Sequence, residues 1–564
     1  MNRRHLLPQD VARTQENAAR SLTLALRKQI TRKHFLAATA ALGGTWFLSA
    51  CSTGNPAPTQ QATSAAAAVQ PPAQASPAAA TKPTTPRRGG TLTVGTPSPI
   101  NDFNPFYLSP GNVVVQAPLY NTLTHYDDRL APQPELAEKW ERAADGKSIT
   151  VKLREGVKFH SGREVTSEDV KFSAEFAATD TSVFLRPLLS NVKKVETPQK
   201  YVAELRFDSP TAVVFDILDT LYIIDKDSVK KFSNQASGTG PFKLDKYVPN
   251  DRVELVANKD YWDKDKPYLD KFIHRPITDL SALSLNLESG TIDCVFGLTL
   301  LDVGRLGNSG GKYLLAKIPG YGMFDVAISV RAEPFNIKKV RQAVAWSIDR
   351  DRFCKTALQG LVQPTCLMWP TSSWAYFKDL EGKIGYDLDK AKALLKEAGL
   401  GNGVNTDIIT STMRGPGNSE LAQILQADLK KIGVNATIND VDTTVFQNLM
   451  GKGDIRLMIH GYARTNRDPL TLVTGAKPWL TEKEGGMSHF ESVEYDQLRR
   501  DLQTTIEQSK RLALCRSIQE MMLDECFCNP VCESPSFWVY ASRVKGLNFS
   551  KENSMFAGEV WLEG

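Results

Sequence analysis

At 564 residues the chain is too long for one ordinary domain, and 41% hydrophobic with 23% charged residues is the balance of a protein with sizeable cores rather than a disordered or fibrous one. The formal charge of +5 sits wholly in the N-terminal part: residues 1–51 carry a net +6 and 52–88 a further +3, which leaves 89–564 at −4. A mildly acidic folded part excludes the broad basic face that nucleic acid requires.

The chain opens as a targeting segment. A basic stretch, 27–33, precedes an apolar run from His34 to Leu48 and the small residues Ser49 and Ala50, the order of a signal peptide ending at Cys51. The run is shorter, and richer in Ala, Gly and Thr, than the roughly 20 apolar residues of a spanning helix. Leu48-Ser49-Ala50-Cys51 resembles the lipobox of bacterial lipoproteins, which makes Cys51 the expected site of lipidation. Thr31-Arg32-Lys33-His34-Phe35-Leu36 resembles a twin-arginine signal with Lys33 in the second arginine's place, so both export routes stay open. Residues 52–88, rich in Ala, Pro, Thr and Gln, hold too little apolar surface to fold and read as a disordered tether.

Beyond the tether, strands and helices intermix. Residues 89–95 alternate apolar and polar side chains and read as an edge strand. Thr166 to Asp169 forms a helix-opening box before Val170 and Phe176. Residues 300–306 read as helix and 312–318 as strand. Asp387 opens a helix closed by Gly399, and a further helix ends at Gly433, directly before an alternating strand. This is a layered α/β pattern.

Chemical motifs are sparse. Gly307-Asn308-Ser309-Gly310-Gly311 matches the nucleophile elbow of hydrolases, but that motif needs a strand before it and a helix after, and the order here is reversed. The seven histidines are scattered singly, so no zinc signature or other metal site is expected, and no cofactor loop is present. Seven cysteines follow Cys51. Cys354 and Cys366 flank a short loop that a bridge could close, whereas Cys526, Cys528 and Cys532 read as small apolar residues of a buried strand around Phe527 and Val531 rather than as zinc ligands.

Several ordered blocks carry a resemblance: Leu136 to Trp140, Leu153 to Phe159, Gly162 through Ser173, Gly238-Thr-Gly-Pro-Phe242, Asn258 to Trp262, and Phe335 to Arg350. Together they resemble the extracellular solute-binding proteins of ABC importers, family 5, which handle dipeptides, oligopeptides and nickel. The resemblance implies a periplasmic-binding-protein-like type II α/β fold, with two lobes, a hinge and a cleft. Lobe I would take 89–300, with an extra subdomain at about 105–215, lobe II 301–530, and 531–564 would return to lobe I. It further implies a monomeric receptor rather than an enzyme, in the periplasm or at the cell surface, anchored to the membrane through Cys51 and delivering a small solute to an ABC permease and ATPase complex. The alternatives are an exported receptor used for signalling on the same scaffold, or a hydrolase using Ser309.

Peptide-binding members carry, before an acidic residue and proline, an Asp that pairs with the ligand's α-amine. In the stretch Gly461 to Pro469 of this chain Thr465 takes that place, so the amine anchor is missing, and the neighbouring Arg464 is suited to an anion. Tyr462 of the same stretch, Arg414 near the position of a carboxylate-gripping Arg, and Trp369, Trp374 and Tyr376 complete the expected ligand contacts, with loop 97–105 as the opposing edge. The expected solute is peptide-like or carboxylate-bearing. Nickel ranks last, for want of a histidine cage.

Overall fold

Side-chain alternation and strand pairing divide the folded chain into two lobes. The computed structural model describes residues 85–564 except 108, 110, 180–184, 416 and 535; the signal, Cys51 and the tether up to residue 84 lie outside the described residues. Residues 82–564 form a single unit, and no described helix is long and apolar enough to cross a membrane.

The first lobe begins with β1 (Thr91–Thr96) and a short hairpin of β2 (Thr124–Tyr126) and β3 (Pro132–Pro134). Next comes an antiparallel sheet of β4 (Ala137–Arg142), β5 (Ser148–Leu153), β6 (Val192–Gln199) and β7 (Val202–Phe207), in the order β4-β5-β7-β6. Ile149, Val151 and Leu153 alternate with outward residues and are buried, as are Ala203, Leu205 and Phe207, which is what a period of two requires of a sheet covered on one face. The cover is helix Ser167–Thr179, with Val170, Ala174 and Ala177 inward. Its entry is half of the expected box: Asp169 accepts from the Thr166 amide at 2.9 Å and from the Thr166 hydroxyl at 3.2 Å, while the Asp169 amide donates to the Thr166 carbonyl rather than to its side chain.

A seven-stranded sheet follows from β8 (Phe242–Val248), β9 (Arg252–Ala257), β10 (Lys271–Pro276), β11 (Cys294–Phe296) and β12 (Tyr313–Lys317). The second lobe holds β13 (Gly322–Ile328), β14 (Val404–Thr410), β15 (Val434–Asp440), β16 (Leu457–Ala463) and β17 (Cys528–Glu533) in the order β15-β14-β16-β13-β17. The chain then returns as β18 (Phe537–Ala541), which enters the first sheet in the order β12-β18-β11-β1-β10-β9-β8. Helix Leu388–Glu397 is capped by Asp387 as expected, its carboxylate accepting from Lys390 N at 2.9 Å. Helix Asn418–Lys431 joins the parallel pair β14 and β15.

Pairing corrects several readings. β1 is an inner strand, parallel to β10 on one side and β11 on the other; alternation reports which face is covered, not whether an edge is free. β12 pairs with β18, so residues up to 317 stay with the first lobe, and β17 pairs with β13, so residues up to 533 stay with the second. The chain therefore crosses at 318–321 and 534–536 rather than at the boundaries 300/301 and 530/531. Gly238 and Gly240 serve close approach of two backbones: a Cβ would lie 2.0 Å from the Leu119 carbonyl oxygen in one and 2.4 Å from that of Pro118 in the other. The cysteine-bearing β17 is buried throughout, as its apolar reading requires. Cys354 and Cys366 lie in different apolar clusters, and Cys354 shares its cluster with Cys532. Ser309 lies in the turn between helix Leu300–Gly307 and β12, where its hydroxyl accepts from Tyr313 N at 3.1 Å; this is the reverse of an elbow's order.

Candidate functional site

The second lobe presents one half of an open strand edge. β16 pairs with β13 along its whole length, but with β14 only at Leu457 and Met458. Residues 460–464 then line a cavity of about 600 Å³, whose opposite wall includes Asn191, Thr211 and Val213 of the first lobe. Main-chain donors and acceptors at such an edge suit a ligand with a peptide-like backbone. Leu470, Thr471 and Thr474 of helix Pro469–Gly475 form a further side.

Charge is concentrated where the lobes meet. Arg464, with φ +66°, stands at the end of the open edge, and its guanidinium lies 3.8 Å from Glu552 on the returning segment of the first lobe. Burial lowers the affinity of Arg464 for its proton, and Glu552 works against that. Arg467 is fully enclosed; it pairs with Asp219 of helix Val214–Thr220 and, at 2.7 Å, with Glu552. Despite burial, these carboxylates hold Arg467 firmly protonated, while the two arginines hold Glu552 below the usual carboxylate range. Asp216, on the same helix, accepts from the Tyr126 and Thr471 hydroxyls at 2.9 and 2.5 Å; burial, reinforced by Asp468, pushes it up to about 6 against the pull of Arg467. The second lobe is thus bonded to the first through Arg467 and Thr471, a closed arrangement.

The structure brings two of the expected residues to the cavity, Tyr462 and Arg464. The Tyr462 hydroxyl is turned inward and donates to Met368 O at 3.2 Å. Thr465 is 1% exposed and donates its hydroxyl to Gly320 O at 2.6 Å, so it offers the cavity nothing. Trp369 is wholly buried in the core behind β16, and Trp374 packs under the Arg511 guanidinium with Tyr376 nearby at the edge of that core. Arg414 lies at the surface, stacked over Phe446. None of these five lines the cavity, because the segments bearing them pack on other faces of the second lobe. Loop 97–105 also turns inward: Phe103 is buried and Asn101 N donates to Asn112 at 3.0 Å.

Most of the cavity lining escaped the sequence reading, His460 among it. His460 lies directly opposite Asp325 on β13, its Nδ1 3.0 Å from that carboxylate, while Cys528 Sγ donates to the other oxygen at 3.1 Å. Asp325 fixes the ring and leaves Nε2 as the nitrogen not engaged by it. In sequence His460 is one isolated histidine; only the pairing of β16 with β13 gives it a partner. Among the described residues no group of His, Cys, Asp and Glu is arranged to hold a metal ion.

Known proteins share the sequence pattern and the fold of this chain. The family model described as bacterial extracellular solute-binding proteins, family 5 Middle, matches residues 131–477. The chain is 27% identical over 485 residues to the dipeptide-binding protein of Escherichia coli strain K12, covering 79% of this chain and 89% of that protein. It is 26% identical over 463 residues to heme-binding protein A of Haemophilus influenzae, covering 76% and 84%. Among solved structures it is similar to the ABC transporter-associated periplasmic binding protein DppA of Helicobacter pylori in complex with the peptide STSA, with TM-score 0.69, 26% identity and coverage of 85% and 99%. HbpA2 of Haemophilus parasuis, with TM-score 0.75, 23% identity and coverage of 84% and 100%, shares the fold.

Proposed function

The chain belongs to the bacterial extracellular solute-binding proteins of family 5, the receptors of ABC importers, and from that membership we propose that its own solute is peptide-like, presents a carboxylate and lacks a free α-amine. The observation that carries this reading is the open edge of β16 along the cavity with Arg464 at its end. The edge would pair with a ligand backbone, and Arg464 would exchange Glu552 for the ligand's carboxylate. The turning away of Thr465 supports the absence of an amine anchor. Lobe closure around the solute is then the signal passed to a membrane permease.

Thermal unfolding tests the reading. A ligand at a hundred times its dissociation constant adds about 2.7 kcal/mol to stability. N-acetylated dipeptides are expected to raise the melting temperature at least as much as free dipeptides, and Arg464→Ala to remove that rise. A larger rise with free dipeptides would overturn the ligand class while leaving the receptor role in place.

The leader and Cys51 support a lipid-anchored protein facing the periplasm or the cell exterior. Cys51→Ser is expected to abolish labelling by radioactive palmitate and release the protein from membranes; retained labelling would place the acyl chain elsewhere.

A further inference from the structure

Two thiols far apart in sequence meet inside the second lobe. Cys354 follows Phe353, just beyond helix Arg350–Arg352, and Cys532 lies on β17 as the partner of Phe324 on β13. The rings of Phe324 and Phe353 sit edge to face with centroids 5.3 Å apart, which carries the residue after Phe353 toward the strand beside Phe324. Both residues are buried in the same apolar cluster there, and Cys354 is the side chain that acts most directly on the Cys532 thiol. Other thiols have oxygen partners: Cys366 faces Leu380 O at 3.8 Å, Cys526 faces Leu523 O at 3.2 Å, and Cys528 donates to Asp325.

We propose that Cys354 and Cys532 form a structural disulfide when the protein folds outside the cytoplasm, the thiol pair described above being its reduced form. The two S–H bonds are lost and one S–S bond forms. Two electrons and two protons pass to a disulfide oxidant, either a thiol–disulfide oxidoreductase or oxidised glutathione, which leaves as two thiols. Because both sulfurs are enclosed in apolar surroundings, and burial holds the Cys532 proton tightly, the exchange takes place during folding, before β17 is covered. The bond would tie β17 to the turn after helix Arg350–Arg352, just before the chain leaves β17 at Glu533 to cross back to β18. The strand that feeds the hinge would then be anchored at its second-lobe end while the crossover itself stays free to bend. This goes beyond the receptor reading and holds whatever the solute is.

The test uses the wild-type protein refolded in glutathione redox buffer and, in parallel, the exported protein. Each is denatured with an alkylating reagent present, digested and weighed. The expected result is five alkylated cysteines among the seven that follow Cys51, and a peptide joining Cys354 to Cys532 that disappears on treatment with dithiothreitol. Seven alkylated cysteines, or a bridge between any other pair, would overturn the proposal. Melting supplies a second readout: the oxidised protein should melt several degrees above the reduced one, and a C354A/C532A double variant should show no such difference. A difference that persists in the double variant would assign the redox effect to other thiols.

Discussion

Thr465 shows how a side chain can leave a binding site without leaving the loop. Its hydroxyl is spent on Gly320 O at 2.6 Å, in full burial. Thr465→Val keeps the shape and deletes the donor, so stability should fall by about 1 to 2 kcal/mol in urea unfolding, while solute affinity measured by calorimetry stays unchanged; a lost affinity with intact stability would return Thr465 to the site. Two histidines of the first lobe make a second residue-scale case. Burial holds His160 down to about 4, and His274 down to about 3 beside the Thr96 hydroxyl. Between an unfolded value of about 6.5 and these folded values the unfolded chain binds more protons, so their contribution is complete at neutral pH and is lost as pH falls below about 6.5, at about 1.4 kcal/mol per pH unit for each. Urea midpoints measured from pH 7 to 5 should fall accordingly, and His160→Gln should make that fall shallower.

At the level of elements, the short helix Pro469–Gly475 matters most, because it lines the cavity and carries Thr471 to Asp216. Asp468 caps it through Leu470 N at 3.0 Å and is gripped by both Nη atoms of Arg511 at 2.7 and 2.6 Å. Arg511→Met leaves that carboxylate half-buried without its fork, and a loss of about 3 kcal/mol is expected in chemical unfolding; a loss below 1 kcal/mol would mean that solvent replaces the arginine. Caps of this kind were legible in the sequence. Asp387 and the Thr166–Asp169 box signal themselves by residue type and spacing, and the helices begin where these residues stand. Strand partners were not legible. Nothing local to 313–317 says that it pairs with β18, and the alternation of β1 looks the same in the middle of a sheet as at its rim. The site divided along the same line: Tyr462 and Arg464 follow from the loop pattern, Trp369 looks like a cleft aromatic until the core closes over it, and His460 acquires meaning only from Asp325, 135 residues away.

For the whole molecule the decisive contact is Arg467, which links the second lobe to Asp219 and Glu552 of the first. Arg467→Met leaves buried Asp219 without its arginine and Glu552 with Arg464 alone, and the ligand-free protein should open, giving a larger radius of gyration in solution scattering that returns to the compact value with saturating solute. Unchanged scattering would show that closure rests on other contacts. If opening leaves a tenth of the molecules closed, and only these bind, affinity falls about tenfold. The crossover at 318–321 is tied to the same region: Gly320 O accepts from Thr465, Tyr321 O from the Arg464 amide at 2.9 Å, and Lys317 pairs with Glu533 across the two connections at 2.8 Å. Grip and pivot therefore share their atoms, as in a door whose handle is mounted on its hinge pin. Selectivity could not be retuned by changing this loop without also changing how quickly the door swings, so a receptor bred for tighter capture would tend to surrender its cargo more slowly, and throughput would set the upper limit on how selective the lineage can become.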